Sequence, residues 1–541
     1  MVLPPSVTER LERLAPDQRA AATAPSGPIL CIAPAGSGKT TTLVARIAWL
    51  IGSGTPPDGI RAITFNKRAA DEMAERLDSA VGPLGVEPGA VVVRTFHALG
   101  REILRDAGVP VEPLADRDAL LRQLRPDSDD AERLRLDTAI SRLKLELGVT
   151  ADQVATDHDA GPIARTFVAY ERAVATTGGL DFDDLVLRAI ASLEADRRLL
   201  ERWRARCREL LVDEVQDVDR AQLRLALLLA APANRIFLVG DDDQSIYGWR
   251  LADVRRVLGL DAVLPGLRRV DLEVNHRCPA PIVERAVRLV EHNRERFAKR
   301  IRAGTRAQGR LILAPDGGEE TARLRRVLES WPADGSSRAV LARTNRELLP
   351  AIVVALDLGW PFRAPRIELL IESPAIDELL ERASKPGTPS TPLLVTLGRL
   401  RDECASKEAG PASATAALLG WAAPYRTLEA FAEAVRATRS ALAALRRDDA
   451  QLSLATAHAT KGLEFDHVVV LGLEAGRFPS ARSVQDAEHP VRALEEERRL
   501  AYVAWTRARK TLTLLYDPVA PSPFLLEAFS PGELGLEDRT A

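Results

Sequence analysis

Cysteine is scarce in this 541-residue chain: Cys31, Cys207, Cys278 and Cys404 lie far apart and form no C-x-x-C pair. That excludes a disulfide scaffold and a zinc ribbon, and it suits a reducing compartment. No apolar run approaches the roughly 20 residues that span a bilayer, which excludes a helical membrane protein. The opening, MVLPPSVTERLERL, has no basic segment followed by an apolar stretch, so no secretory leader is expected. An excess of one charge is also missing. The net charge is −3 and the pI about 6.3, far from the pI above about 9 that advertises a nucleic-acid-binding domain. Any such surface must be built by the placement of cations.

Two further scarcities sharpen the reading. Lysine stands at only eight positions (39, 67, 144, 299, 385, 407, 461 and 510) among 74 basic residues, so arginine is the default cation. A lysine here is required as lysine, a compact point charge for a tight cradle where a guanidinium fork is too wide. Aromatic residues make up 4% of the chain, so an aromatic inside a polar motif asks for a reason.

What is present alternates between strand and helix. Short apolar strands are predicted at 29–32, 61–65, 91–95, 208–213, 235–240 and 268–272, separated by helical periodicity, a pattern of α/β type with a mostly parallel sheet. Residues 104–180 read as a helical insertion. A second α/β pattern covers 310–365 and resumes at 452–516. Between them, 366–451 opens with loop signals (ASKPGTPSTP, 383–392) and is otherwise helical. The Pro/Gly/Glu-rich tail from Pro518 reads as peripheral. A length of this order implies about three or four domains.

Three strings carry chemistry. Ala33-Pro34-Ala35-Gly36-Ser37-Gly38-Lys39-Thr40 sits between a strand and a helix, as a Walker A loop does. Its glycines let backbone N–H groups face phosphate oxygens, Lys39 reaches the β- and γ-phosphates, and Thr40 offers a hydroxyl to Mg²⁺. Leu211-Val212-Asp213-Glu214-Val215-Gln216-Asp217 is a strand ending in acids, with Asp213 for the Mg²⁺ shell and Glu214 to activate water. Val239 to Arg250 again leaves a strand for polar residues: Gln244 can read a γ-phosphate or the attacking water, while Tyr247 and Trp249 suit stacking on unpaired bases or, alternatively, core packing.

Taken in order, these strings resemble the motifs of superfamily 1 DNA helicases of the UvrD/Rep type, over roughly residues 14–516. Gln18 matches the motif that reads the adenine edge. Thr64-Phe65-Asn66-Lys67 and Thr95-Phe96-His97-Ala98 resemble two single-strand contacts. Asn275-His276-Arg277 resembles the motif whose arginine meets the γ-phosphate. His458 to Phe465 resembles the motif whose Glu464 binds ribose while His458 meets DNA, and Glu495 to Ala508 the one that places Arg507 as a second arginine finger. For His97 and His458 a supporting role in the core is the alternative.

The resemblance implies two RecA-like P-loop motor domains, each interrupted by a mainly helical insertion. The first motor domain is then 1–103 and 181–270, with 104–180 inserted. The second is 271–365 and 452–517, with a reduced insertion at 366–451, followed by a tail at 518–541. The implied nucleotide set is Gln18, Ala35, Gly36, Ser37, Gly38, Lys39, Thr40, Thr41, His276, Arg277, Glu464 and Arg507. Catalysis falls to Lys39, Asp213, Glu214, Gln244, Arg277 and Arg507, with Mg²⁺ on Thr40 and Asp213. DNA contacts are Thr64, Phe65, Asn66, Lys67, Thr95, Phe96, His97, Tyr247, Trp249, Arg250 and His458. Arginines delivered by the second motor domain would couple hydrolysis to closure.

The implied activity is ATP-dependent DNA unwinding or translocation, 3′→5′ by resemblance alone, on single strands and single/double-strand junctions, in repair, replication or recombination in a bacterial cytoplasm. Three departures stand out: His276 where the family has Tyr, Thr41 where it often has Arg, and Leu251 where it has Gly. The short 366–451 segment brings forward a second reading, a translocase that strips proteins or serves a partner, with a partner or second copy needed for unwinding. A non-catalytic ATP-gated DNA module would need a damaged Asp213, Glu214 or arginine finger, and none is damaged. A small-molecule kinase is excluded by the second motor domain.

Overall fold

Strand formation follows the apolar runs. The computed structural model describes residues 3–156, 161–365 and 425–536, with isolated positions between 366 and 424 (367, 369–372, 376–377, 381 and 422). The chain divides into two compact units. One comprises Met1–Arg310, Pro479–Lys510 and Pro523–Ser530; the other comprises Leu311–Phe478, Thr511–Ser522 and Pro531–Ala541.

The first unit is built on six strands: β1 (Ile29–Ile32), β2 (Ile60–Thr64), β3 (Val92–Thr95), β4 (Glu209–Val212), β5 (Ile236–Gly240) and β6 (Arg268–Asp271). Their order is β3-β2-β4-β5-β1-β6, and every pairing is parallel. Side chains alternate between two faces, as strands require. Ile29 and Cys31 join Leu43 and Ile47 of the helix Lys39–Gly52 on one face. Leu30 and Ile32 join Leu185 and Ala189 of the helix Asp184–Ala195 on the other. Both faces are covered, which is why the central strands carry no polar alternation. The carboxyl ends of β1, β2, β3, β4 and β5 release, in turn, the loop at 33–38, Asn66, Thr95, Asp213 and Asp241. In an open parallel sheet this edge is where ligands bind.

Within the same unit, a short parallel pair, β7 (Val274–Asn275) and β8 (Arg302–Ala303), follows the sheet. The helix Ala280–Val290 packs against the helices Pro490–Trp505 and Pro523–Ala528. Residues 271–310 and 479–510 therefore lie in the compact unit that holds the 33–40 loop. The helical insertion has its own small core of Leu121, Leu136, Ile140, Phe167, Tyr170 and Val174.

The second unit carries a sheet of β9 (Arg310–Pro315), β10 (Arg338–Ala342), β11 (Phe362–Arg363), β12 (Leu452–Thr456), β13 (Phe465–Val470) and β14 (Ala508–Tyr516), in the order β11-β12-β10-β13-β14-β9. Leu324, Leu328, Ile352 and Leu442 from its helices are buried against Val340, Leu454 and Val469. Two doubly covered α/β sheets are the RecA-like pair that the sequence predicts. Most of 366–451, the stretch predicted to be a reduced insertion, lies outside the described residues, 383–392 included. Its last helix, Leu428–Leu445, is described and is N-capped by Thr427.

The tail is not peripheral. Phe524, Leu525, Ala528 and Phe529 are buried, and Arg498 holds Glu527 through two bonds of 2.7 Å. Composition misled here because Pro and Gly occupy the turns while the apolar side chains fall on one short helix. Among the described residues no helix is long and apolar enough to cross a membrane.

Candidate functional site

The phosphate loop is shaped by conformation before chemistry. Gly36 and Gly38 hold φ of 70° and 82°, the left-handed region that glycine adopts without steric cost. Space demands glycine as well. A Cβ on Gly36 would lie 2.4 Å from Asn275 Oδ1, and one on Gly38 2.5 Å from Gln18 Nε2. Gln18 is buried and braces the loop, its Nε2 donating to Ser37 O at 2.8 Å and its Oε1 accepting from Ala15 N at 3.1 Å. Lys39 donates to Ala33 O at 3.1 Å, folding its ammonium back over the loop. The Ser37 hydroxyl is buried and meets no hydrogen-bond partner, an orphaned donor that a phosphate oxygen would satisfy. Ala35 is buried, Thr40 half-buried, and Thr41 and His276 exposed at the rim. The His276 amide donates to Gly36 O at 2.8 Å.

At the end of β4, Asp213 Oδ1 accepts from Glu214 N at 2.9 Å. Glu214 takes φ 51°, a strained choice for a side chain of this type. Gln216 Nε2 donates to Glu214 Oε2. At the end of β5, Gln244 Nε2 donates to Asp241 Oδ2 at 2.7 Å. Asp213 and Thr40 offer hard oxygen donors, which suit Mg²⁺.

Both predicted arginines meet this site within the first unit. Arg507, 1% exposed, reaches Gln244 Oε1 at 3.4 Å and is aimed by the helix just before it through Val503 O at 2.8 Å. Arg277 Nη1 donates to Thr506 O at 3.3 Å, and its Cβ lies 2.8 Å from where a Gly36 Cβ would be. Burial and the neighbouring Arg277 charge push the Arg507 guanidinium down to about 9. Two adjacent guanidiniums beside a phosphate loop are arranged for an anion, which would reverse that cost.

A cavity of about 930 Å³ in the first unit gathers most of the predicted DNA contacts: Phe65, Asn66, Lys67, Thr95, Phe96, His97, Trp249 and Arg250. Asn66 and Thr95 cap helices whose N-termini face it, accepting from Ala69 N at 2.9 Å and Ala98 N at 3.3 Å. Such N-termini suit phosphate. Trp249 is 52% exposed, with the Arg250 guanidinium 4.7 Å from its ring centre. Tyr247 stacks on Phe65 at 5.1 Å. Phe96 is instead 4% exposed and packs in the core, and Thr64 is buried with its hydroxyl on Asn66 O. Phe96 is part of the cavity wall, and Thr64 lies behind it. Burial pushes the His97 imidazole down to about 4.

Two predicted residues belong to the second unit. His458 is half-buried in the turn Ala457–Thr460 after β12, and burial, then Arg343 and Lys461, push it down to about 4. Glu464 is exposed just before β13.

Sequence reasoning missed several residues. Phe182 is 55% exposed in the cavity and stacks on His97 at 3.9 Å. Asn275 Oδ1 takes the amides of Arg277 and Cys278 and so fixes the arginine's backbone. Glu496 accepts from Gly248 N at 2.9 Å, tying the Trp249 turn to the helix that leads to Arg507. Lys299 sits buried against three aspartates; lysine scarcity was the signal available for it. Leu251 holds φ 69°, so the residue found where the family has Gly keeps the left-handed turn and packs against the core.

A glycine-rich phosphate loop, acids at the ends of neighbouring parallel strands and paired arginines define a P-loop nucleoside triphosphatase. Comparison with known proteins narrows the class. Residues 14–263 match the UvrD/REP helicase N-terminal domain, and residues 394–517 the UvrD-like helicase C-terminal domain. DNA helicase II of Escherichia coli (strain K12) is 29% identical over 632 aligned residues, covering 94% of this chain and 85% of that protein. DNA helicase II of Salmonella typhimurium is 29% identical over 631, with the same coverage. The ATP-dependent DNA helicase PcrA of Staphylococcus aureus (strain Mu50) is 34% identical over 304, covering 53% of this chain and 41% of that protein. The chain belongs to the UvrD/Rep family of superfamily 1 helicases.

Proposed function

We propose that the chain is an ATP-driven DNA motor that moves 3′→5′ on single strands and separates duplex at single/double-strand junctions. The observation that carries this is the meeting of Arg507 with Gln244 beside a phosphate loop, in the same unit as a cavity lined by exposed aromatics. The loop amides, Ser37 and Lys39 bind the phosphates. Gln244 and Glu214 orient the attacking water, and Glu214 accepts its proton. Arg277 and Arg507 meet charge developing on the γ-phosphate. Thr40 and Asp213 would hold Mg²⁺, which neutralises phosphate charge. Glu464 is assigned to ribose and His458 to DNA by motif order. The exposed rim residues Thr41 and His276 make a weaker adenine grip than the family's Arg and Tyr.

Hydrolysis is linked to movement by the Arg507 helix, because Glu496 on that helix holds the backbone beside Trp249. The test is ATPase activity with and without single-stranded DNA. Stimulated turnover that disappears in Glu214→Gln, with nucleotide binding retained, is expected; turnover in purified Glu214→Gln at the native rate would remove Glu214 from the mechanism.

A second reading, a translocase with little unwinding of its own, is favoured by one observation. The alignment to the Escherichia coli relative is longer than this chain, so that relative carries segments absent here. Strand displacement measured beside single-strand translocation separates the two readings.

A further inference from the structure

Three successive aspartates, Asp241, Asp242 and Asp243, leave the end of β5, and each is at most 1% exposed. Buried carboxylates need cations or neutralisation. Lys299 Nζ lies 2.8 Å from Asp241 Oδ1, 2.5 Å from Asp242 Oδ1 and 2.8 Å from Asp243 Oδ2. Arg296 adds two bonds to Asp243, at 2.9 and 2.8 Å. A compact ammonium draws three carboxylates onto a single nitrogen, whereas a guanidinium spreads its partners over several. That is the physical reason for a lysine in a chain that otherwise uses arginine.

Of the three acids, Asp241 joins both water-handling residues. Its Oδ2 accepts from Gln244 Nε2 at 2.7 Å. Its amide donates to Gln216 Oε1 at 3.0 Å, and Gln216 Nε2 passes the contact to Glu214. A side-chain amide has a donor end and an acceptor end, and an ionised carboxylate only accepts. Asp241 therefore sets which way Gln244 faces, leaving Oε1 for Arg507 at 3.4 Å. By the same logic the Asp241 N–H takes Gln216 Oε1 and leaves Nε2 for Glu214.

We propose that Lys299 is a positioning residue for ATP hydrolysis: by holding Asp241 as a carboxylate it fixes the orientation of Gln244. The inference rests on the ATPase reading above and extends it to a residue that touches no reacting atom. The charge balance agrees with the geometry. Burial opposes the Lys299 ammonium, but Asp241, Asp243 and Asp242 outweigh it and hold it above its ordinary range. Burial likewise opposes the Asp241 carboxylate, and Lys299, with Lys39 and the Gln244 hydrogen bond, outweighs that and holds it below its ordinary range.

The test is steady-state ATPase of the full chain with saturating single-stranded DNA, in folded Gln244→Ala, Asp241→Asn, Lys299→Met and the double variant Lys299→Met/Gln244→Ala. In Asp241→Asn, Lys299 retains the amide oxygen and the new NH₂ faces Gln244, which must turn over and present its own NH₂ to Arg507. Expected is a kcat loss of ~10–100-fold, the scale for partners that orient a reacting group, with KM for ATP held within about twofold. Lys299→Met should lower kcat in the native background and add nothing in Gln244→Ala, because the two act through one contact. A merely structural Lys299 would lower both backgrounds alike, and that result overturns the proposal. Native kcat in Asp241→Asn overturns it too, and decides alone if Lys299→Met does not fold. Native kcat in Gln244→Ala, or no ATPase in the native chain, brings down the underlying reading and this inference with it. A loss in Gln244→Ala beside an unimpaired Asp241→Asn brings down only the inference.

Discussion

Arg507 keeps its guanidinium in a site where burial and Arg277 both work against the charge. A bound phosphate would remove that conflict, so on the proposed reading the arginine stabilises most where negative charge is growing. Arg507→Ala and Arg277→Ala should each lower kcat, with ~10³–10⁵-fold as the ceiling set by arginine fingers; a loss confined to DNA affinity would count against both. A second residue tests pH. Burial, with further repulsion from Glu146 and Asp183, pushes the Asp219 carboxyl up to about 7 although Gln222 N–H works the other way. Its folded value lies above the unfolded value of ~3.9. Between about pH 4 and 7 the folded state keeps a proton that the unfolded state has lost, so this contribution is full below pH 4 and is lost as pH rises through 7. Asp219→Asn keeps the cap to Gln222 and should remove that slope, gaining on the native protein as pH rises by up to a few kcal/mol at ~1.4 per unit. Denaturant melts at pH 4.5 and 7.5 check it, and parallel curves for the two proteins would refute it. Lysine scarcity made Lys39, Lys67 and Lys461 legible, because each sits inside a local string. Lys144 and Lys299 follow the same rule, yet their partners lie 37 and 57 residues away in sequence, and no local pattern announces a contact of that span.

The helical insertion shows the same economy at the scale of elements. Lys144, 3% exposed, is bonded to Asp181 and Asp184 at 2.9 Å and to Glu171 at 3.0 Å. Arg117 bonds Asp181 and Asp183 at 2.6 and 2.7 Å. These pairs clamp the insertion's helices to the segment that carries Phe182. Removing one partner of such a buried network costs about 3–5 kcal/mol. Lys144→Met should therefore unfold the helices Asp130–Ser141 and Pro162–Thr176 at lower denaturant, seen as faster amide exchange there; unchanged exchange would show that Arg117 suffices. The aromatic turn is a second element to test. If Trp249 stacks on a base, Trp249→Ala should weaken single-strand binding by ~1–3 kcal/mol, measured by anisotropy at matched salt on protein shown to be folded. Equal affinity would return the indole to a packing role. Helices and strands were legible because their apolar periodicity is local. The burial of Phe96 and of the tail helix was not, because each depends on what the rest of the chain brings against it.

For the whole molecule, translocation and unwinding make different demands. Moving along one strand needs an alternating grip, whereas opening duplex also costs ~1.4 kcal/mol of stacking per step. If 366–451 is a reduced second insertion, the isolated monomer should translocate yet unwind weakly, and unwind better with a partner or second copy. Single-turnover unwinding of a long 3′-tailed duplex with trap DNA measures this, and processive unwinding by the monomer would refute it. The order of motifs along the chain made both motor domains legible, but not which stretches pack together. The first unit is assembled from three separate stretches, the last two beginning at Pro479 and Pro523. On the ribosome, the phosphate loop and both acids emerge hundreds of residues before Arg507, while the sheet that holds them can already form. A chain interrupted before residue 479 would carry a cradle for nucleotide and no second arginine to act on it. On the proposed reading of the site, translation completes the catalytic set only near its end, and a chain stopped short of Arg507 should not hydrolyse ATP on DNA.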